Sequence, residues 1–202
     1  NRDTGIKDKT GGAAMSPSPE QIIGFEQFKS ICRAISTYRE LDFLINHLVE
    51  HICRSFKVRG CGILLYDDHE GELFRVASHG LSEAYLNKGP LPLEENESRL
   101  ARGEPVFIED MPTDERVLYP DAARKEGLVA MLSVPVRYNG AFLGVIRVYH
   151  DRRWSLHEAD LDSFCLFGDQ LGLVVENAGL KNFLDQVRAA MCGLPRRMLE
   201  GL

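Results

Sequence analysis

The stretch Ala130–Asp160, AMLSVPVRYNGAFLGVIRVYHDRRWSLHEAD, decides the fold. Asn139-Gly140 stands between two apolar runs. A two-residue type I′ turn needs positive φ at both central residues, which asparagine and glycine tolerate, so the pair predicts a tight hairpin. Before the turn, Met131, Ser133, Pro135 and Arg137 alternate with Leu132, Val134, Val136 and Tyr138. After it, Phe142, Gly144, Ile146 and Val148 alternate with Leu143, Val145, Arg147 and Tyr149. Both faces carry apolar side chains, so the hairpin is expected at the centre of a sheet covered on two sides, at least in part. Ser155-Leu156-His157-Glu158 has the form of a capping box. The serine oxygen would accept the Glu158 N–H, the glutamate would reach back to Ser155, and a long helix would follow.

Working outward, GCGILLYD (60–67) and ELFRVASHG (72–80) predict a first hairpin across the polar loop 67–71. Upstream, Ser18-Pro19-Glu20-Gln21 is a helix start with serine as cap and proline at the first position. That helix should run to about Ile35 on the stripe Ile22, Phe25, Phe28, Cys32 and Ile35. A second helix is expected from about Glu40 to Phe56, on Leu41, Leu44, Ile45, Leu48 and Ile52. Between the hairpins, residues 81–128 mix helical pieces (82–87, 94–102, 113–126) with a short strand, Val106–Ile108. Thr113 is the expected cap of the third piece, with Asp114 and Glu115 in its first turn. A crossover this long inside a compact domain is usually functional. The closing helix carries Leu161, Phe164, Cys165 and Leu171, and continues to Phe183 and Val187 through Gly168, Gly172 and Gly179. The order of elements predicts an α+β sandwich with an antiparallel sheet.

Composition narrows the function. The chain has 202 residues, 44% hydrophobic, with 24 basic against 30 acidic residues and a formal net charge of −6. An acidic chain without a basic run points away from nucleic acid. No window holds the ~18 apolar residues of a membrane span. Cys32, Cys53, Cys61, Cys165 and Cys192 are scattered and odd in number, which fits reduced thiols in a cytoplasmic protein rather than a disulfide framework. The first residue is Asn1, as in a processed chain or a piece of a longer one. Residues 1–16 read as a flexible tail or tag remnant, 17–187 as the domain with its terminal helices, and 188–202 as a C-terminal tail or linker.

Several segments together resemble the GAF domain family. LDFLINHLVEHICRSF (41–56) looks like its opening helix, and CGILLYDDHEGELFRVASHGL (61–81) like its first hairpin. GEPVFIEDMPTDER (103–116) resembles the "g-x-P-x-x-v-x-D" segment, with Asp110 at the aspartate. SVPVRYNGAFLGVIRVYH (133–150) is similar to the signature hairpin, and WSLHEADLDSFCLFGDQLGLVVENAGL (154–180) to the closing helix. The resemblance covers about Leu41 to Phe183. It implies a six-stranded antiparallel sheet with terminal helices on one face and the helix/loop crossover over a small-molecule pocket on the other. It also implies a regulatory sensor module of a multidomain signalling protein. Fold alone does not fix the ligand.

The expected pocket lies between the sheet and the crossover. Its candidate lining residues are Tyr85, Ser98, Asp110, Arg116, Tyr119 and Ser133, the polar ones orienting a ligand by hydrogen bonds. The bland reading of each is local: Asp110 capping a turn, Arg116 pairing with a nearby acid, Ser133 serving as a small strand residue. The cyclic-nucleotide signature of phosphodiesterase GAF domains is met only in pieces, by Asn87-Lys88, Phe107 and Asp114-Glu115, and its internal spacing is not met. Covalent bilin attachment and free methionine sulfoxide reduction need a cysteine near the pocket, and none occurs between Cys61 and Cys165. The expectation is therefore a non-catalytic domain, with no metal or cofactor assigned. His47 and His51 are four apart on a helix but sit on its flank without a third ligand. Surplus apolar helix surface predicts a homodimer through the terminal helices, signalling to a fused or partner output domain. The alternatives are a dimerisation module without ligand and a GAF-fold enzyme such as a free methionine sulfoxide reductase.

Overall fold

The computed structural model describes residues 23–37, 41–91 and 95–192. Asn139 and Gly140 both take positive φ, 50° and 87°, and join strand β4 (Ala130–Tyr138) to β5 (Ala141–His150). The register runs from Tyr138 opposite Ala141 to Ala130 opposite His150, with one irregularity at Val136/Arg137. Strands β1 (Gly60–Asp67) and β2 (Glu72–His79) form the first hairpin, and β3 is the short Val106–Ile108. All pairings are antiparallel, in the order β2-β1-β5-β4-β3, so the β4–β5 hairpin is interior.

Among the described residues the sheet has five strands, which corrects the six expected from the resemblance. At the β2 edge a single backbone bond, from Leu73 N–H to Leu91 O (3.0 Å), occupies the ground a further strand would cover. Leu91 lies between Pro90 and Pro92. Prolines have no N–H to donate, so Pro90 cannot add a donor to the ladder beside Leu91.

Helices α1 (Phe25–Thr37), α2 (Leu41–Phe56) and α6 (Glu158–Cys192) share one core with the sheet. Ile31, Leu44, Leu48, Ile52, Phe164, Phe167 and Leu171 meet Ile63, Ala77, Leu132, Val134, Ile146 and Val148 there. Aromatic contacts bind the helices together: Phe56 meets Phe164 edge-on and Phe28 stacks on Phe167, both at 5.2 Å between centroids. The helix glycines let α6 lie against the β4 backbone. A Cβ at Gly168 would stand 2.1 Å from Pro135 O, and one at Gly172 would stand 2.0 Å from Arg137 O.

Two helix starts differ from the sequence reading. Ile23 and Gly24 are not helical and α1 begins at Phe25; the Ser18–Gln21 cap and the 1–16 tail lie outside the described residues, and of the expected 188–202 tail, residues 188–192 belong to α6 while 193–202 lie outside the described residues. Helix α6 begins at Glu158, where His157 Nδ1 accepts the Ala159 N–H at 3.1 Å in place of the Ser155 box. Trp154, just before the expected cap, is buried edge-on against Phe107 of β3 and Phe164 of α6.

Candidate functional site

The crossover supplies a second core on the other face of the sheet. It contains α3 (Glu83–Leu86), α4 (Glu95–Ala101) and α5 (Pro120–Glu126). Ser82 caps α3 by accepting the Tyr85 N–H at 3.2 Å. The Glu126 carboxylate at the end of α5 accepts from both the backbone N–H and the hydroxyl of Ser82, tying the two helices together. The expected helix 113–126 is reduced to α5. Residues 111–119 form turns, and Tyr119, just before Pro120, is held off helical geometry at φ −125°, ψ 66°. Asp114 therefore does not serve a first helical turn. Its carboxylate takes the Arg116 guanidinium at 2.9 and 2.6 Å, and this hydrogen bonding holds its carboxyl below the usual range.

Between these pieces and the sheet lies a cavity of about 50 Å³. Its floor is Val106 of β3, Met131 and Ser133 of β4, and Arg147 of β5. Ser133 and Arg147 are register partners, so their side chains emerge on the same face side by side. The crossover closes the roof with Tyr85, Lys88, Leu91, Leu100, Met111 and the turn residues 116–119. Tyr119 OH donates to Pro90 O at 2.8 Å, holding the two ends of the roof together. Gly89 makes that closure feasible: with φ +139° and a Cβ that would fall 2.4 Å from Tyr119 Oη, no side chain fits.

Of the six sequence candidates, Tyr85, Arg116, Tyr119 and Ser133 meet in this cavity. Asp110 and Ser98 stand outside it. Asp110 lines a shallow acidic cleft with Phe107, Glu109, Thr113, Asp114 and Arg116. Its carbonyl accepts the Thr113 and Asp114 N–H groups, and its carboxylate lies 3.7 Å from Arg153. Ser98 sits on α4, where its carbonyl accepts the Arg102 N–H.

The sequence reading did not assign Arg147 or Lys88 to the pocket; Lys88 entered that reading only in the Asn87-Lys88 pair. Arg147 is 6% exposed, on an otherwise apolar strand face between Val145 and Tyr149. A lone arginine in that alternation was the available signal. Lys88 follows α3; its Nζ donates to Tyr85 O at 3.3 Å and lies 4.0 Å over the Tyr85 ring. Burial draws this ammonium down from the ordinary lysine value to about 8, and the charges of Arg147 and Arg75 add to the effect. Burial also pushes the Tyr85 and Tyr149 phenols up; their rings meet edge-on at 5.7 Å.

The thiols lie elsewhere. Cys53 of α2 and Cys61 of β1 are buried among the helices, and burial pushes Cys53 up to about 12 and Cys61 well up. Burial and the neighbouring Asp162 and Asp169 push Cys165 up to about 11. His51 is used within the helix layer, with Nδ1 3.0 Å from Ser55 Oγ and Nε2 3.2 Å from Ser30 Oγ. Among the described residues no helix is long and apolar enough to cross a membrane.

Comparison with known proteins places this arrangement. No curated protein sequence matches the chain. Among solved structures, the GAF domain of a phosphoenolpyruvate-protein phosphotransferase from Coxiella burnetii is similar at 18% identity and TM-score 0.69, covering 78% of this chain and 95% of that one. The GAF domain of an Acinetobacter phosphoenolpyruvate-protein phosphotransferase is similar at 23% identity and TM-score 0.65, with the same two coverages. A free methionine-R-sulfoxide reductase from Neisseria meningitidis, solved with its substrate, is similar at 15% identity and TM-score 0.61, over 73% of this chain and 84% of that one. At these identities the likenesses carry the fold alone. The sequence model of the GAF domain family matches residues 40–175, well over half of the chain. The chain belongs to the GAF domain family, a sensory and regulatory fold of signalling proteins.

Proposed function

We propose that this chain is a non-catalytic sensor domain of a cytoplasmic signalling protein. It binds a small molecule in the cavity over β3, β4 and β5 and passes the event along α6 to an output domain fused to it or bound by it. The observation that carries the reading is the placement of β4. Ser133 of this strand lines the cavity, while the carbonyls of Pro135 and Arg137 touch α6 at Gly168 and Gly172. A ligand that shifts β4 therefore shifts the helix.

The test is a thermal-shift screen of the purified chain against nucleotides, cyclic nucleotides, amino acids, and aromatic and short-chain acids. A ligand of the folded state raises Tm in a saturable way. A screen in which nothing shifts Tm favours the alternative, a dimerisation module without ligand.

Buried Cys53 and Cys61 and half-buried Cys165, all pushed up, support a non-catalytic role, because an attacking thiolate needs an exposed, electropositive setting. Reduction of free methionine sulfoxide by the chain, lost on replacing one cysteine, would overturn it. Scattered free cysteines support a reducing compartment.

The domain also pairs with a second copy through α6. Leu166, Leu173, Leu180 and Val187 are exposed at seven-residue spacing, with Phe183 and Leu184 beside the last two. Every described side chain from Gly179 to Arg188 is exposed, so this half of the helix stands clear of its own domain. Sedimentation should give a dimer for the native chain and a monomer for the double variant Leu173→Glu, Leu180→Glu. A native monomer at tens of micromolar would sink the pairing.

A further inference from the structure

We propose that the cavity is built for a small organic acid, whose carboxylate is held by Lys88 Nζ and the Arg147 guanidinium. This rests on the sensory reading above and names the ligand class of the same site.

The first support is charge. The chain carries more acidic than basic residues, 30 against 24. Yet the ionisable side chains that line the cavity among the described residues are Lys88, Arg116 and Arg147, together with phenols, and none is a carboxylate. Arg116 is largely committed to Asp114, through two side-chain hydrogen bonds at the rim. Lys88 and Arg147 lie deeper.

The second support is the setting of Lys88. Its Nζ rests on a carbonyl oxygen and a ring face, both of them neutral groups. Among the described residues, the charged groups that lower it are Arg147 from β5 and Arg75 from β2, both cationic. An ammonium in a half-buried site beside like charges is destabilised there. A bound anion offsets that desolvation and repulsion together, and this is the chemistry by which the site would select it.

The third support is shape. Arg147 rises from the sheet beside Ser133, so a guanidinium fork and a hydroxyl share the floor. Leu91, Leu100, Met111 and Met131 provide an apolar sheath for a short carbon chain. A cavity of about 50 Å³ accommodates roughly four water-sized groups, which sets the ligand near the size of propionate or lactate. A second hollow of about 30 Å³ shares Tyr85, Lys88 and Leu91 as a wall and adds Arg75 and Tyr149. It offers a neighbouring cationic place for a second acidic group.

The experiment is calorimetric titration of the purified chain with acetate, propionate, butyrate and lactate. The neutral amides of the same acids and inorganic phosphate serve as the other arms. The expected result is saturable binding of at least one acid, at least tenfold tighter than its amide. Lys88→Met and Arg147→Met should each weaken that acid at least tenfold, while Lys88→Arg retains most of the affinity. Lys88 is only half-buried, so its variants test the proposal even if Arg147→Met fails to fold. Amides binding as well as acids, phosphate alone binding, no acid binding at all, or Lys88→Met leaving affinity unchanged each overturns the anion assignment. Binding of a neutral compound from the wider screen, with no acid bound, overturns this inference while leaving the sensory reading standing. Silence in both experiments removes both.

Discussion

On the helix side of the β4–β5 hairpin, Leu132, Val134, Ile146 and Val148 are fully buried against the helix layer, and two glycines of α6 press on strand carbonyls. On the other side, one residue along, Ser133 and Arg147 stand between Met131, Val145 and Tyr149 and face a cavity of about 50 Å³. The strands are the same and only the pleat separates the two environments. On the helix side an added methyl at Gly168 or Gly172 would collide with a strand carbonyl. The crossover side keeps a buried cation and an open volume. Dense packing is concentrated on one face of the hairpin and the proposed ligand site lies on the other, so substitutions should sort by the face they point to.

The largest expected effect is on the helix side. Phe164→Ala removes a side chain that meets Phe56, Trp154 and Phe167. It should lower the unfolding free energy by about 3–5 kcal/mol in urea titration. A loss below 1 kcal/mol would mean that this core tolerates voids as the cavity side does. Next comes Gly172→Ala, which forces a Cβ to within 2.0 Å of Arg137 O. The helix must move off β4, at about 3 kcal/mol. An unchanged midpoint would show that the contact is loose and that β4 does not drive α6.

The cavity side should respond chiefly to pH. The folded chain holds Lys88 near 8, while in the unfolded chain it stays near the ordinary lysine value of 10.5. Between those values the unfolded chain binds the extra proton, so stability rises with pH across this window and is flat below it. Lys88→Met should abolish that rise and be more stable at pH 7 by about 1 kcal/mol, once solvent screening is discounted. An unaltered pH profile would remove the cost assigned to the buried ammonium. The smallest effect is Gly179→Ala. It lies on the free half of α6 with nothing within 4 Å of an added Cβ. A gain of about 0.5–1 kcal/mol from helix propensity is expected, opposite in sign to Gly172→Ala. If both glycine variants change stability alike, the clamp on β4 is not real.

The features legible in the sequence are those with local causes. Asn139-Gly140 announces its turn because positive φ is a property of those two residues. The stripes of α2 and α6 follow from helical periodicity. What was misread has non-local causes or a competing local one. The Ser155 box is sound by itself, but the helix starts at Glu158 and His157 accepts the Ala159 N–H in its place. Thr113 looks like a cap until Pro120 excludes helix at Tyr119 and Asp114 turns to Arg116. At the site, Tyr85, Arg116, Tyr119 and Ser133 were found by asking which residues the crossover brings over the sheet. Lys88 was weighed only in the Asn87-Lys88 pair, and Arg147 only as part of the signature hairpin. Their nearness appears only when strand register and a turn 59 residues upstream of Arg147 bring two cations together.

The spacing of Leu166, Leu173, Leu180 and Val187 has a geometric consequence of its own. A straight α-helix falls about 20° short of closing on itself every seven residues, so an apolar row with that repeat winds slowly around the helix axis. A partner helix that keeps contact with all four residues must bend to follow the row, and the sense of the drift makes that bend left-handed. The handedness of any helical pair formed along α6 is thus written into four side chains on a surface the domain itself leaves bare.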